Sequence, residues 1–293
     1  MLSREQVQRV VDMALAEDAP FGDVTSQVFV PAEAVARGSV VAREPGVLAG
    51  VDVLRQTFTT VDTGVVVEVL MADGDRFVTG DVLARVQGPA RAVLQGERVA
   101  LNLVQRMSGI ATLTSRYVEA VAGTDVRVVD TRKTTPGLRA LERHAVRCGG
   151  GHNHRFSLSD AVMAKDNHLA LVPDVTAAVR AARATLPHTM HVEVEVDRLD
   201  QVEAVLAGGV DTIMLDNFTP DQLREGVALV AGRAIVEASG GITLETIGEV
   251  ARTGVDVISV GALTHSVRAL DLGLDLDVAR GGGAGPWAAG TTP

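Results

Sequence analysis

The residues most able to do chemistry in this sequence are concentrated between positions 127 and 168, where cations gather within an acidic chain. This segment holds eight Lys and Arg residues against four Asp and Glu residues, a charge of +4, whereas the formal net charge of the chain is −10. The cations are Arg127, Arg132, Lys133, Arg139, Arg143, Arg147, Arg155 and Lys165. Because opposite charges attract most strongly at short range, we expect a local binding site for small anions.

Lysine occurs only twice in the chain, as Lys133 and Lys165, and all other basic residues are arginines. The lysine ammonium is a compact, flexible point charge, whereas the arginine guanidinium is a planar fork. Two lysines inside the cationic segment therefore indicate positions that a guanidinium would not fit. The alternative is chance placement on a solvated helix.

Short apolar runs alternate with Ala- and Leu-rich helical stretches from residue 126 onward, which predicts parallel strands joined by helices. The predicted strands are 126–131, 161–166, 191–196, 212–217, 234–239 and 257–262. Each run has a polar residue or glycine at its end or one position before it. In an α/β barrel the active site lies at the carboxyl ends of the strands, so we prefer a barrel to an open doubly wound sheet.

Glu195 and Asp216 are carboxylates at the ends of two neighbouring predicted strands. Mg²⁺ is usually held by one or two carboxylates together with substrate phosphates, so these residues are candidate ligands for Mg²⁺. Glu193 shares its side-chain direction with Glu195, since residues two apart on a strand lie on one face. The alternative is that these carboxylates only pair with the arginines.

The last two predicted strands end in glycine-bearing turns, Ser239-Gly240-Gly241 and Gly261-Ala262. Barrels often bind phosphate at the loops after their final strands. Glycine allows backbone N–H groups to approach the anion, and the N-terminus of the next helix attracts it. Ordinary turn glycines are the alternative.

A zinc site also has to be considered, because Cys148, His152, His154 and His168 are potential ligands. Their spacing matches no closed zinc signature. The three glycines at 149–151 are better explained as the end of a helix over 138–147, followed by a loop that presents His154 and Arg155.

The N-terminal part predicts a different architecture. Apolar residues at helical spacing follow Ser3, a plausible N-cap, and indicate an amphipathic helix that ends near residues 20–22. Runs between 35 and 86 predict antiparallel strands and tight turns. The hairpin over 72–88 resembles those of biotinyl and lipoyl carrier domains, but no lysine is near it, so a carrier role is excluded. Residues 89–122 predict a helix with an interruption at Gly109.

Composition limits the function classes. Hydrophobic residues make up 46% of the 293, enough for a large core. Cys148 is the only cysteine, which excludes an intrachain disulfide, and the charged, periodic N-terminus does not resemble a signal peptide. A net charge of −10 with one Trp and one Tyr argues against a nucleic-acid surface. No apolar run could span a bilayer, so we expect a cytoplasmic protein without a membrane or nucleic-acid partner.

Short motifs in a fixed order give the sequence a family resemblance. They are ERVALN, SGIAT, DTRKTTPGLR, GGGHNHR, MAKDNH, VEVEV, MLDN, SGGI and VGALTHS. Together they resemble quinolinate phosphoribosyltransferase, over about residues 2 to 276. The resemblance implies a homodimeric, Mg²⁺-dependent enzyme of de novo NAD biosynthesis. It would join quinolinate to 5-phosphoribosyl 1-pyrophosphate (PRPP) and release nicotinate mononucleotide, pyrophosphate and CO2.

The fold that the resemblance implies is an irregular α/β barrel with an N-terminal α+β sandwich domain completed by the C-terminal segment. The expected bounds are 1–107 for the sandwich, 108–266 for the barrel and 267–278 for the returning segment. Residues 279–293, which are rich in glycine, are expected to form a disordered tail.

The site residues that the resemblance implies form three groups. The quinolinate group comprises Arg132, Arg155 and Lys165, with Thr131, Lys133 and His154 beside them and Arg98 supplied by the partner subunit. The ribose and Mg²⁺ group comprises Glu195 and Asp216. The 5′-phosphate group comprises Ser239, Gly240, Gly241, Gly261 and Ala262, with His265 nearby. Of these, Lys133, Lys165, Glu195 and Asp216 are the expected catalytic residues.

Three other functions remain open at this point. A nicotinate-using phosphoribosyltransferase would need a site for one carboxylate instead of two. A Schiff-base aldolase could use Lys133 or Lys165, since a lysine at a barrel strand end can be such a nucleophile. An anion-binding regulatory protein would bind ligand without turnover.

Overall fold

The computed structural model describes residues 2–277, which form an N-terminal α/β unit followed by a parallel sheet with helices. The N-terminal helices are α1 (Arg4–Asp18), α2 (Val24–Phe29), α3 (Val51–Val61) and α4 (Ala90–Ala120). The strands among them are β1 (Val35–Ala42), β2 (Gly46–Val47), β3 (Val66–Val69), β4 (Arg76–Phe77) and β5 (Val82–Pro89). The Ser3 side chain accepts the backbone N–H of Gln6, which confirms the predicted N-cap.

The antiparallel strands predicted between 35 and 86 are confirmed, with one omission. The four-stranded sheet has the order β12-β1-β5-β3, where β12 is Leu272–Leu276 near the end of the described chain. Its pairing with β1 is antiparallel, from Gly38 opposite Leu276 to Ala42 opposite Leu272. Helix α3, which packs with α4 against this sheet, was absent from the prediction.

The predicted interruption of the long helix at Gly109 is wrong, since α4 runs unbroken through this residue for 31 residues. The glycine serves a close approach instead. A Cβ at position 109 would lie 2.2 Å from the backbone oxygen of Arg268, so only glycine lets the returning chain cross the helix here.

All six parallel strands predicted after residue 126 are present. They are β6 (Arg127–Val129), β7 (Val162–Ala164), β8 (Val192–Val196), β9 (Thr212–Asp216), β10 (Ile235–Ser239) and β11 (Val257–Ser259). The helices of this part are α5 (Arg139–Cys148), α6 (Asp166–Leu169), α7 (Val175–Thr185), α8 (Val202–Gly208), α9 (Pro220–Val230), α10 (Ile247–Ala251) and α11 (Ala262–His265). The predicted helix over 138–147 therefore corresponds to α5.

The six strands pair in the order β6-β11-β10-β9-β8-β7, which leaves β6 and β7 as the outer strands. On its free side β6 has one bridge, from Val129 to His152. The carboxyl ends of β6 and β7 nevertheless open onto one cavity, so the sheet curves into an irregular barrel. Buried valines, leucines and isoleucines form one core under this sheet and a second in the N-terminal domain.

Helix α4 has residues in both cores, such as Val104 in the N-terminal core and Met107 in the barrel core. It therefore fixes the two domains to each other. Among residues 2–277, no helix is long and apolar enough to cross a membrane. The tail predicted over 279–293 lies outside the described residues.

Candidate active site

A cavity of about 370 Å³ opens at the carboxyl ends of the barrel strands. Its lining comes from all six strands, the residues that follow them and the loop between α5 and β7: Thr131, Arg132, Lys133, His154, Arg155, Met163, Lys165, Glu195, Met214, Asp216, Ser239 and Ser259. Residues two apart on a strand share a face, which explains why Met214 and Asp216 both line the cavity. The strand ends thus bring together side chains that are far apart in sequence.

Nine of the predicted site residues line this cavity, namely Thr131, Arg132, Lys133, His154, Arg155, Lys165, Glu195, Asp216 and Ser239. The lining does not include Arg98, Gly240, Gly241, Gly261, Ala262 or His265. Gly261 still borders it, because a Cβ at this position would lie 3.0 Å from Cδ of Lys133 and 3.1 Å from the His265 ring. Arg98 is exposed on α4, where its nearest carboxylate is that of Glu97 at 4.0 Å.

Two arginines in the cavity have buried nitrogens without acceptors. Nε of Arg132 and Nε of Arg155 are both buried and make no hydrogen bond among residues 2–277. Burial lowers the pKa of Arg155, and the like charge of Arg132 lowers it further. Unpaired buried donors are costly, so this pair of guanidinium groups is arranged to receive an anionic acceptor.

Lys165 forms an ion pair with Glu195 at the mouth of the cavity. The Lys165 side chain is 40% exposed, whereas the Glu195 side chain is 13% exposed. Asp216 lies at the end of the adjacent strand, where its carboxylate accepts a hydrogen bond from Nδ2 of Asn217 at 2.6 Å. Two carboxylates on neighbouring strand ends supply the hard oxygen donors that Mg²⁺ prefers, with the remaining ligands left to water and phosphate.

The loop that carries His154 and Arg155 is held from below by Asp130 and Arg143. Asp130 is fully buried, pairs with Arg143 at 3.1 Å and accepts the backbone N–H of His154 at 2.8 Å. Arg143 also donates to the backbone oxygens of His154 (2.6 Å) and Arg155 (3.1 Å). Burial raises the pKa of Asp130, although the charge of Arg143 opposes this effect. These two residues position the loop without lining the cavity.

His154, which lines the cavity, lies between two buried carboxylates. Its Nε2 is 3.1 Å from Glu193 and 3.5 Å from Glu237. Burial alone would lower the pKa of His154, but the hydrogen bonds and charges of the two glutamates raise it to about 10. Burial also raises the pKa of Glu193. The backbone N–H of Arg155 donates to Nδ1 of His154 at 2.7 Å, so Nδ1 acts as an acceptor. This hydrogen bond favours a proton on one of the glutamate carboxylates over a proton on Nδ1.

The pKa values of His154 and Glu193 are both raised. The cluster of His154, Glu193 and Glu237 therefore retains a proton at a pH where a free histidine has lost it. A group with a raised pKa in the folded state contributes stability below its ordinary pKa of 6.5, and this contribution is lost as the pH rises through about 10. We therefore expect the free energy of unfolding to fall over this window, by at most about 1.4 kcal/mol per pH unit for one proton.

Chemical denaturation at several pH values measures this slope. In the Glu193→Gln variant, which removes one carboxylate of the cluster, the free energy of unfolding should depend less steeply on pH. Glu225→Gln, at an exposed position of α9, should show the same pH dependence as wild type. Equal slopes in all three proteins would contradict the shared proton.

The last two strand ends form the glycine turns that the sequence predicted. Gly240 and Gly241 have φ angles of +91° and +60°, and a Cβ at Gly240 would lie 2.2 Å from Oδ1 of Asn217. The backbone here folds tightly against the end of β9, since the N–H of Asn217 donates to the oxygen of Ser239 at 2.9 Å. Glycine is therefore required at Gly240 by conformation as well as by space.

Sequence reasoning did not assign roles to four residues of this site. Glu193 and Glu237 lie on strands, Asp130 directly follows β6, and Arg143 lies on α5. Strand alternation pointed Glu193 into the barrel, but no pattern in the sequence joins it to His154. The zinc candidates are not brought together, because His154 contacts glutamates and His168 accepts the N–H of Lys165 at 3.1 Å.

Comparisons with known proteins agree with this geometry. The family model described as quinolinate phosphoribosyl transferase, C-terminal domain, matches residues 110–275, and its N-terminal counterpart matches residues 23–108. The nicotinate-nucleotide pyrophosphorylase (carboxylating) of Mycobacterium leprae is 49% identical over 282 residues, which cover 94% of this chain and 97% of that protein. The corresponding probable enzyme of Bacillus subtilis is 43% identical, with 92% and 93% coverage.

Solved structures give the same result. The crystal structure of NadC from Streptococcus pyogenes aligns with a TM-score of 0.90 at 43% identity, covering 94% of this chain and 97% of that one. Family models match both domains, and the relatives are well above 30% identical over nearly their whole length. Both findings assign the chain to the same family. This chain belongs to the quinolinate phosphoribosyltransferase family.

Proposed function

We propose that this protein transfers the phosphoribosyl group of PRPP to quinolinate and releases nicotinate mononucleotide, pyrophosphate and CO2 in de novo NAD biosynthesis. The observation that carries this proposal is the pair of buried Nε atoms of Arg132 and Arg155, which have no hydrogen-bond acceptor among the residues that the structure describes. They lie in one cavity with Lys133 and Lys165 and with the carboxylates Glu195 and Asp216. Release of pyrophosphate from quinolinate plus PRPP by the purified protein tests it directly.

The cations of the cavity would bind the two carboxylates of quinolinate. Arg132, Arg155 and Lys165 are the proposed partners, with Lys133 and His154 beside them. PRPP and a pyridine dicarboxylate bring many negative charges together, and fixed cations in a site of low dielectric offset their repulsion. The like-charge repulsion that lowers the pKa of Arg155 would be relieved when an anion binds between the two arginines.

The carboxylates would stabilise the transition state of the transfer. The ring nitrogen forms a bond to the anomeric carbon while the bond from that carbon to the pyrophosphate oxygen breaks. The sugar passes through a cationic, oxocarbenium-like state that neighbouring carboxylates stabilise, as in glycosidases. The pyridinium ring then accepts the electron pair left when the adjacent carboxylate departs as CO2, and a proton takes its place on the ring carbon.

Mg²⁺ is the proposed cofactor, and Glu195 and Asp216 would hold it together with substrate oxygens. When bound, the ion would lower the cost of the charge that develops on the departing pyrophosphate. Glu195 also forms the ion pair with Lys165, so a bound ion would lie next to that ammonium group. The glycine turns at Ser239-Gly240-Gly241 and Gly261-Ala262, with His265 next to Gly261, would receive the 5′-phosphate.

We expect Glu195→Ala and Asp216→Ala each to weaken Mg²⁺-dependent turnover by about 10²-fold or more, because each removes one oxygen ligand and one stabilising charge. The measurement is activity against Mg²⁺ concentration, with Glu225→Ala as a control on the protein surface. Undiminished wild-type activity in excess chelator would remove the metal from the proposal.

A homodimer with a shared active site is proposed from the position of Arg98. Arg91 and Arg98 are seven residues apart on α4 and therefore share a face. Arg91 donates to the backbone oxygen of Val30 at 2.9 Å, which places this face beside α2. Phe21, three residues before α2, and Phe29, its last residue, are 90% and 84% exposed. If a second copy of the chain covered this apolar surface, Arg98 of one copy would lie at the cavity of the other.

Mixing two inactive variants tests the shared site. We expect Arg98→Ala and Lys165→Ala each to be nearly inactive, because each damages every site of its own dimer. A mixed dimer regains one intact site of two, so about a quarter of wild-type activity should return after subunits exchange at random. Mass analysis must confirm the exchange. Exchange without recovery would place Arg98 outside the partner's site.

A cytoplasmic location also remains our proposal. It is supported by the single cysteine, which excludes an intrachain disulfide of the kind found in oxidising compartments.

A further inference from the structure

Three side chains that the proposed reaction does not use meet where the two domains contact each other. Asp73 lies in the loop between β3 and β4 of the N-terminal domain. His144 and Cys148 lie on α5 of the barrel domain, four residues apart and therefore on one face of the helix. All three are half-buried. The sequence had offered Cys148 as a metal ligand with other partners, and the fold gives it these two instead.

The three side chains converge on one point. Oδ2 of Asp73 is 2.6 Å from Nε2 of His144, and Sγ of Cys148 is 3.4 Å from the same nitrogen. One ligand atom from each residue lies within 4.8 Å of the other two. A nucleophile relay is excluded by this arrangement, because it needs the carboxylate on one ring nitrogen and the thiol on the other. Convergence of three donor atoms is instead the geometry of a coordination site.

The carboxylate of Asp73 is held in place by the start of α3. Its Oδ1 accepts the backbone N–H groups of Gly50 at 2.7 Å and Val51 at 3.0 Å. This leaves Oδ2 directed at His144. Hydrogen bonds that fix the second oxygen of a carboxylate are typical of oriented metal ligands.

We propose that Asp73, His144 and Cys148 form a binding site for Zn²⁺ that links the N-terminal domain to the barrel. Thiolate, imidazole and carboxylate are the ligands that Zn²⁺ takes in proteins. The half-buried position leaves room for water as a fourth ligand. Mg²⁺ does not suit this site, because it prefers an all-oxygen environment.

Binding at this site exchanges a proton for the metal. Burial raises the pKa of Cys148 to about 12, so the metal-free protein carries a thiol. Formation of the bond between sulfur and Zn²⁺ releases the thiol proton to solvent, and no electron transfer is involved.

Titration of the chelator-treated full-length protein with Co²⁺ tests the proposal. Co²⁺ replaces Zn²⁺ in such sites and gives a thiolate charge-transfer absorption band only when it is bound to sulfur. We expect this band to saturate at one Co²⁺ per chain and to disappear when Zn²⁺ is added. Excess Mg²⁺ should leave it unchanged. Co²⁺ bound at Glu195 and Asp216 would lack the band, so the two metal proposals are tested separately.

The variants Cys148→Ser and His144→Gln assign the ligands. Cys148→Ser should abolish the band, and each variant should bind Zn²⁺ at least about 100-fold more weakly, since loss of a direct ligand exceeds the loss of an outer-shell partner. His152→Gln is the matched control, because it removes an exposed histidine of the same segment. Circular dichroism without metal checks that each variant is folded. A missing band in wild type, or equal Zn²⁺ affinity in Cys148→Ser, would overturn the proposal.

Discussion

Replacement of Lys165 by alanine is expected to lower kcat/KM for quinolinate by about 10³-fold, at the upper end of the loss caused by removing one preorganised charge from an active site. Lys165 lies at the end of β7, lines the cavity and pairs with Glu195. Its removal would take a cation from the substrate carboxylates and would leave Glu195 without its partner. Steady-state kinetics with both substrates measures the effect.

A second substitution at this position separates charge from shape. Lys165→Arg keeps the positive charge but replaces a compact ammonium with a planar fork, so we expect it to recover little of the lost activity. Arg127→Ala is the matched control, because this exposed cation of the same segment lies on β6 outside the cavity lining. Folded Lys165→Ala protein with wild-type kinetics would remove Lys165 from the catalytic set.

Quinolinate should be preferred to nicotinate by about 10⁴-fold in kcat/KM, since sites built around polar contacts reject analogues that lack them by such factors. Quinolinate carries two adjacent carboxylates and nicotinate carries one. The cavity supplies Arg132 and Arg155, each with a buried nitrogen that has no acceptor within the described chain. With nicotinate one of these donors would stay unpaired, at a cost of about 1 to 3 kcal/mol or more.

Product analysis makes this test decisive. CO2 should appear in a one-to-one ratio with nicotinate mononucleotide when quinolinate is the substrate. Comparable efficiency with nicotinate, or nucleotide formed from quinolinate without matching CO2, would favour a nicotinate-using phosphoribosyltransferase. The Arg132→Met variant should narrow the preference, because it removes one of the two unpaired donors.

The sequence predicted the barrel strands well, because their signal is local. Strands such as 192–196 and 212–216 are short runs rich in β-branched and apolar residues, and they carry Glu195 and Asp216 at or next to their carboxyl ends. The rule that strand ends share one face of a barrel then placed Lys165, Glu195 and Asp216 in one cavity. The loop residues His154 and Arg155 were expected there because of the family resemblance. Boundaries were one to three residues too generous at several ends, because strand pairing stops before the apolar pattern does.

What the sequence could not predict depends on contacts between distant segments. Gly109 looked like a helix break, and only the approach of Arg268 explains why a glycine is needed there. The cluster of His154, Glu193 and Glu237 joins a loop to two strands, so no spacing rule identifies it. The role of Arg98 was expected only from the family resemblance, because it requires a second chain.

Synthesis on the ribosome leaves β1 unpaired on one side until β12 emerges. The partners of β1 are β5, which follows within the same domain, and β12, which pairs Leu276 with Gly38. An unpaired strand edge can recruit other chains, and contacts this distant in sequence form slowly. The nascent N-terminal sheet therefore presents an open edge during translation of the whole barrel. Emergence of β12, and not emergence of the earlier strands, sets when that sheet can acquire its fourth strand.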